Sequence, residues 1–262
     1  MEVKTNKIIV IVQGRLNSIR FPNKIIKKIG NQEMIKLIVK RLSKSKKISK
    51  IIIATGSRKN NKNLKKILLN ENAHIEFGDE TNVLKRYFNV ATKHKAKTII
   101  RVTGDCPFVD YKLIDKYCSF FENNKYDYIS NTLKPTFPDG LDFEIFSYRA
   151  LSKAYHGTKN SYDLEHVTPF FKTNNTIKKK SIENKKNYSH LRITVDEKVD
   201  LELANKIYKY FSPNYDFCFD EIINLYKKNK KLFNSNLHLV RNQGSKLDAG
   251  NKLWNRAKEI IP

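Results

Sequence analysis

From residue 7 to residue 130, short apolar runs alternate with longer stretches that carry an apolar stripe at helical spacing. The runs predict strands at 7–12, 50–54, 73–77, 97–103 and 126–130. The stripes predict helices between them, at 32–45, 59–70, 81–94 and 111–123. Met34, Ile35, Ile38, Val39 and Leu42 form one stripe, and Val83, Leu84, Tyr87, Phe88 and Ala91 a second. Leu113, Ile114, Tyr117, Cys118 and Phe121 form a third. Strand–helix alternation of this length predicts an α/β fold, with a mostly parallel sheet covered on both faces. Ligands of such sheets sit beyond the carboxyl ends of the strands. That places 13–24, 54–58, 78–82 and 103–107 at the expected site.

Past residue 130 the pattern changes. Residues 133–140, Leu-Lys-Pro-Thr-Phe-Pro-Asp-Gly, read as a proline-containing loop. A short strand near 141–147 follows, then helices near 148–156 and 161–173. A strand pair at 176–183 and 189–195 precedes a helix from about 197 to 211, and a last helix covers about 217–231. There is no internal repeat. The organisation expected is one domain over 1–234, a linker over 235–250, and the start of a new helix at 251–262.

The chain has 262 residues, of which 40% are hydrophobic and 11% aromatic, enough for a sizeable core. No window approaches the ~18 consecutive apolar residues of a membrane span. The N-terminus leads straight into the first strand with no secretory apolar region. Cys106, Cys118 and Cys218 have no metal-binding spacing, and their odd number suits reduced thiols, so a cytoplasmic location is expected. The net charge of +25 invites a nucleic-acid reading. The excess is mostly Lys, spread over many helix faces and accompanied by abundant Asn and Ile. All three residues have A/T-rich codons, so composition accounts for the charge without a nucleic-acid partner. No basic stripe interleaved with aromatics is present.

Four segments carry candidate chemistry. In the first, the run Ile8 to Val12 opens into a loop with Arg15, Ser18, Arg20 and Lys24, and Pro22 fixes its exit. A rigid strand feeding a cationic loop with free N–H groups suits a polyanion, although a solvated surface loop would look the same. In the second, Arg101-Val-Thr-Gly-Asp-Cys-Pro107, a strand ends at Asp105. Asp105 could hold Mg²⁺ against a triphosphate or cap a helix. In the third, Leu191-Arg-Ile-Thr-Val-Asp-Glu197, Asp196 ends another strand and could complete a metal site with Asp105 or serve as an N-cap. The fourth joins Asp139, Asp142 and Glu144 with Glu165-His166, which could bind a polyhydroxylated acceptor or orient its nucleophile. A helical His is as readily structural.

In this order the segments resemble the cytidylyltransferases that activate acidic sugars, a family that includes the 3-deoxy-manno-octulosonate and acylneuraminate enzymes. The spore-coat polysaccharide biosynthesis branch is the most similar. The matching text is Val12-Gln-Gly-Arg-Leu-Asn-Ser-Ile-Arg-Phe-Pro-Asn-Lys24, Ile53-Ala-Thr-Gly56, Gly78-Asp-Glu-Thr-Asn-Val-Leu-Lys-Arg-Tyr87, and Arg101 to Pro107. It continues through Pro138-Asp-Gly-Leu-Asp-Phe-Glu144, Glu165-His-Val-Thr-Pro169 and Leu191 to Glu197. The resemblance implies a three-layer α/β/α nucleotide-diphospho-sugar transferase (Rossmann-like) fold with a mostly parallel mixed sheet. It implies that Gly14, Arg15, Ser18, Arg20 and Lys24 contact the nucleotide phosphates, while Thr55, Thr103 and Arg86 frame cytosine and ribose. It further implies that Asp105 and Asp196 bind Mg²⁺ and that Asp139, Asp142, Glu144 and His166 face the acceptor. Arg15, Lys24 and Asp105 are the implied catalytic residues. The implied reaction moves CMP from CTP to an acidic sugar or phosphorylated small molecule with release of pyrophosphate, in a cytoplasmic homodimer. One departure is clear: Gln13-Gly14 stands where the better-known members carry Pro-Ala.

The tail, Gly250-Asn-Lys-Leu-Trp-Asn-Arg-Ala-Lys-Glu-Ile-Ile-Pro262, resembles the opening of pyridoxal-phosphate-dependent aminotransferases of the glutamate-1-semialdehyde type. It implies a fused aminotransferase domain, where an amphipathic terminal helix is the simpler reading. A nucleotide-sugar glycosyltransferase would use the same fold, but no Asp-x-Asp tripeptide stands at the expected strand end.

Overall fold

The computed structural model describes residues 7–18 and 20–241. Among the described residues nine strands form two sheets: β1 (Ile8–Gln13), β2 (Lys28–Ile29), β3 (Gln32–Glu33), β4 (Lys50–Thr55), β5 (His74–Phe77), β6 (Thr98–Thr103), β7 (Tyr128–Ser130), β8 (Glu144–Ser147) and β9 (Lys179–Ser181). The main sheet has the order β5-β4-β1-β6-β8-β7-β9, and β2 pairs with β3 in a small hairpin. Only β8 runs against the others, pairing antiparallel with β6 and β7. The helices are α1 (Met34–Leu42), α2 (Arg58–Asn61), α3 (Asn63–Ile67), α4 (Val83–Lys93), α5 (Tyr111–Glu122), α6 (Tyr148–Gly157), α7 (Ser161–His166), α8 (Pro169–Thr173), α9 (Lys198–Tyr210) and α10 (Phe219–Lys228).

The continuous apolar run of β1 is explained by its two buried faces. Ile8, Val10 and Val12 join the core that includes Ile38, Leu42, Ile114, Cys118 and Ile207 of α1, α5 and α9. Ile9 and Ile11 join the opposite core, with Leu84, Tyr87 and Ala91 of α4 and Leu151 of α6. A period-2 strand between two helical layers must be apolar at every position. The result is the three-layer α/β/α arrangement with a mostly parallel mixed sheet.

Several elements differ from the pattern-based expectation. The helix expected at 59–70 is two short helices meeting at Lys62. The one expected at 161–173 breaks at Val167, where φ is 71° and the Thr168 N–H donates to the His166 carbonyl at 2.8 Å. A β-branched residue with positive φ stops a helix locally. The strand expected at 189–195 does not enter the sheet and makes only an isolated bridge between Asp139 and Arg192. Its N–H groups go to loops instead: Ile193 and Thr194 donate to the Asp139 carbonyl at 2.7 and 3.0 Å, and Val195 donates to the Asp105 carbonyl at 2.8 Å. Gly140, at φ 107°, permits this docking, since a Cβ there would lie 2.4 Å from the Thr194 nitrogen.

The stretch expected to be linker starts inside the fold. Residues 230–236 form a 3₁₀ helix in which Asn236 is fully buried. Residues 242–262, with the aminotransferase-like tail, lie outside the described residues. Among the described residues no helix is long and apolar enough to cross a membrane.

Candidate active site

The chain leaves β1 toward β4 and β5 on one side, then returns to β6 on the other. This reversal opens a crevice at the carboxyl ends of β1 and β6. Gln13 and Thr103 are register partners there, and the Gly104 N–H donates to the Gln13 carbonyl at 2.7 Å. A cavity of about 540 Å³ occupies this place. Its lining includes every site residue proposed from the sequence except Thr55. Thr55 is fully buried at the end of β4, and its hydroxyl has no hydrogen-bond partner. It does not line the cavity in this structure.

The cationic loop is anchored from below. Leu16 is buried, its N–H donates to Asn61 Oδ1 at 3.0 Å, and its carbonyl accepts from the Asn23 N–H at 2.8 Å. Arg15 is half-buried and reaches the Glu80 carbonyl at 3.4 Å. Lys24 Nζ donates to Asp105 Oδ2 at 2.9 Å and also to Asp196 Oδ1, while Arg20 pairs with Asp196 at 3.0 Å. The two carboxylates converge because their segments are bolted together. The Asp105 carbonyl accepts from both the Val195 N–H and the Thr194 hydroxyl, the latter at 3.0 Å. Burial alone would raise Asp105, but the Lys24 ammonium holds it well below the usual carboxylate range. Conversely, burial would lower Lys24, and Asp105 and Asp196 hold it above the usual lysine value. Next to them, burial and then the Asp105 charge push the Cys106 thiol well up, so it stays protonated and is no nucleophile.

Among the described residues no group of three or more His, Cys, Asp or Glu could hold a metal. Asp105 and Asp196 are a two-carboxylate pair sharing one point between them, where the Lys24 charge now sits. Mg²⁺ typically takes one or two protein carboxylates and completes its shell with water and phosphate, so this donor set fits it.

Across the crevice lies a second charged wall. Arg101 of β6 and Glu144 of β8 are register partners and form an ion pair with side chains 17% and 3% exposed. The Tyr128 hydroxyl donates to Glu144, and Lys172 of α8 approaches it at 3.8 Å. Arg101 also donates to Gln13 Oε1 at 3.2 Å. Burial would raise Glu144, but Arg101 and Lys172 hold it below its ordinary value. His166 lines the same side, its ring 4.4 Å from that of Tyr162. Arg86 is almost fully buried and donates to the Asp79 carbonyl at 2.9 Å. Arg101, Lys172 and Gln13 were not proposed as site residues from the sequence. Arg101 carried a usable signal, a lone cation inside an otherwise apolar strand. Lys172, on an ordinary amphipathic helix, carried none.

Asp139 and Arg192 form a further buried network. The Arg192 guanidinium bonds Asp139 at 2.9 Å and is bidentate to Asp200, also at 2.9 Å. Burial and then the neighbouring Asp142 charge push the Asp139 carboxyl up to about 7, against the pull of Arg241 and Arg192. The folded protein therefore binds a proton at Asp139 more tightly than the unfolded chain does. Asp139 contributes most to stability at low pH, and that contribution falls as pH rises from about 3.8 to about 7. Asp139→Asn is expected to flatten the stability profile across this window, as read from urea midpoints at a series of pH values. An unchanged slope would remove Asp139 as its source.

The comparisons agree with the geometry. A solved cytidylyltransferase from Leptospira borgpetersenii superposes with a TM-score of 0.83 at 26% identity, covering 90% of this chain and 98% of that one. An uncharacterised protein of Methanocaldococcus jannaschii is 32% identical over 88% of this chain and 94% of its own length. The spore coat polysaccharide biosynthesis protein SpsF of Bacillus subtilis is 27% identical over 86% of this chain and 95% of its own. The family description "Cytidylyltransferase" matches residues 9–243, the whole of the sheet, its helices and the crevice, so the chain belongs to the cytidylyltransferase family.

Proposed function

We propose that this chain transfers CMP from CTP to an acidic sugar, or to a phosphorylated acceptor, in the cytoplasmic assembly of a surface polysaccharide. The observation that carries the reading is the two-sided crevice. Arg15, Arg20, Lys24 and the Asp105–Asp196 pair stand on one side, and the Arg101–Glu144–Lys172 wall stands on the other. The first group suits a triphosphate, and the second a charged, hydroxyl-rich acceptor. The polysaccharide context is supported by the name of the SpsF relative.

An acceptor oxygen attacks the α-phosphorus of CTP. The new oxygen–phosphorus bond forms as the bond to the β-phosphate bridging oxygen breaks, and pyrophosphate leaves. The protein's task is placement and charge neutralisation rather than covalent chemistry. Arg15 and Lys24 stabilise the charge building on the departing pyrophosphate. Asp105 and Asp196 would hold Mg²⁺, which supplies neutralisation of α-phosphate charge when bound. Arg20, more exposed than Lys24, guides the triphosphate into the loop.

The test is a pyrophosphate-release screen of the four ribonucleoside triphosphates against acidic sugars and phosphorylated small molecules, with and without Mg²⁺. Release that requires CTP, an acceptor and Mg²⁺ together is expected. Preference for another triphosphate would overturn the base assignment. Free nucleoside diphosphate made from a nucleotide sugar would mark a glycosyltransferase instead.

A further inference from the structure

The C-terminal segment reaches back into the acceptor half of the crevice. Arg241 is the last described residue and lies far from the cavity in sequence. Its guanidinium forms an ion pair with Asp142 and donates to the Phe137 carbonyl at 3.1 Å. Both side chains are largely enclosed, Arg241 at 15% and Asp142 at 21% exposure. Asp142 lines the cavity, within an acidic neighbourhood shared with Asp105, Asp139 and Glu144.

The same segment is wired to the neighbouring carboxylate by a second route. Fully buried Asn236 donates to Asp200 at 2.7 Å and to the Arg192 carbonyl at 3.2 Å. Arg192 in turn holds Asp139. Asp139 and Asp142 of the 137–144 loop are thus both tied to residues 236–241, the first through Arg192 and the second directly through Arg241.

We propose that Arg241 is a positioning residue for the acceptor, holding the Asp142 carboxylate and the Phe137–Glu144 loop in the geometry that binds the second substrate. The kinetic part of this inference rests on the cytidylyltransferase reading, while the structural part stands without it. Asp142 has one cation within bonding reach among the described contacts, and that cation is supplied from the end of the fold rather than from the crevice itself. Acceptor binding is therefore coupled to how the chain beyond α10 is docked. Among the described contacts Arg241 itself bonds neither the loop after β1 nor Asp105 or Asp196.

The experiment compares the full chain with Arg241→Ala, Arg241→Lys, Asp142→Asn and Arg241→Ala/Asp142→Asn. Amide hydrogen exchange is read first, with no substrate present. Arg241→Ala is expected to speed exchange at 139–143 roughly tenfold while leaving β1 and β6 unchanged, since a charge-assisted bond is lost only there. Pyrophosphate release is read next with CTP and 3-deoxy-manno-octulosonate, or with the acidic sugar that turns over fastest in the screen. Arg241→Ala is expected to raise the acceptor KM roughly tenfold, with kcat and the CTP KM within about twofold of the parent. Arg241→Lys is expected to recover most of the loss. The double variant is expected to be less impaired than the sum of its parts, because it removes the carboxylate left without a cation.

Unchanged exchange in the loop overturns the proposal whatever the reaction proves to be. So does a CTP KM that rises while the acceptor KM stays put, or a lysine variant as impaired as the alanine. A parent chain that turns over no acidic sugar overturns the functional reading, and the exchange comparison still decides the role of Arg241.

Discussion

Lys24→Ala is expected to lower kcat about a thousandfold, the scale on which a single cation on a transferring phosphoryl group acts. At about 1.4 kcal/mol per decade this is about 4 kcal/mol of transition-state stabilisation. Lys24 makes two bonds at once, to Asp105 and Asp196, so its ammonium is held at one point of the crevice with its side chain only 13% exposed. A cation held in the crevice in this way is already at hand before charge develops on the departing pyrophosphate. Asp105→Ala is expected to give a loss of similar size by a different route, since it removes one of the two carboxylates that fit Mg²⁺. The two variants are separable. Raising the Mg²⁺ concentration is expected to recover part of the Asp105→Ala rate and none of the Lys24→Ala rate. Steady-state pyrophosphate release, with thermal unfolding as a check on the fold, measures both. Full activity in both variants would remove this corner of the crevice from the chemistry.

The link between Lys24 and the carboxylates also bears on how substrate enters. In this structure Lys24 bonds both Asp105 and Asp196, and Arg20 at 3.0 Å and Arg192 at 3.5 Å add further cations to Asp196. The resting crevice is thus internally neutralised. Asp105 and Asp196 would hold a divalent cation accompanying a triphosphate, and Lys24 would then be free to bind phosphate oxygen. Neither carboxylate would then be left without a cation in a partly buried site.

Much of this arrangement was legible locally. Apolar runs marked the strands, and β1, β4, β5 and β6 fall where those runs predicted. Asp105 and Asp196 were visible as carboxylates ending apolar segments, and the loop after β1 as a cluster of cations. What stayed hidden depends on long-range partners. Residues 189–195 alternate as a strand does, yet their N–H groups are satisfied by the Asp139 and Asp105 carbonyls, so they never join the ladder. Periodicity reports which face of a segment is buried, not which neighbour accepts its hydrogen bonds. Thr55 looked well placed at a strand end, but the end of β4 is covered and its side chain is enclosed. Arg192 and Arg241 were silent in the sequence, because a charged residue acquires meaning only from the carboxylate that the fold brings to it.

Arg101→Met is expected to destabilise the protein by about 3 kcal/mol, the lower end of the cost of breaking a buried ion pair by removing one partner. Glu144 is the reason. Its side chain is 3% exposed, and without the guanidinium it keeps only the Tyr128 hydroxyl and the Lys172 ammonium at 3.8 Å. In the parent protein Glu144 lies below its ordinary value of 4.5, so the pair stabilises the fold above that pH and is lost as pH falls through the folded value. In the variant the sign reverses. A buried carboxyl with weaker cationic support titrates above the unfolded value, so stability falls as pH rises, and the gap between variant and parent narrows toward pH ~4. Arg101→Met/Glu144→Gln removes the stranded charge and is expected to recover most of the loss. Urea unfolding of the three proteins at acid and neutral pH measures these differences. A gap independent of pH would mean that Arg101 acts through packing. A gap that closes at low pH would show that an ion pair joins the neighbouring strands β6 and β8, and Gln13, bonded to that same guanidinium, would then inherit its orientation from the pair.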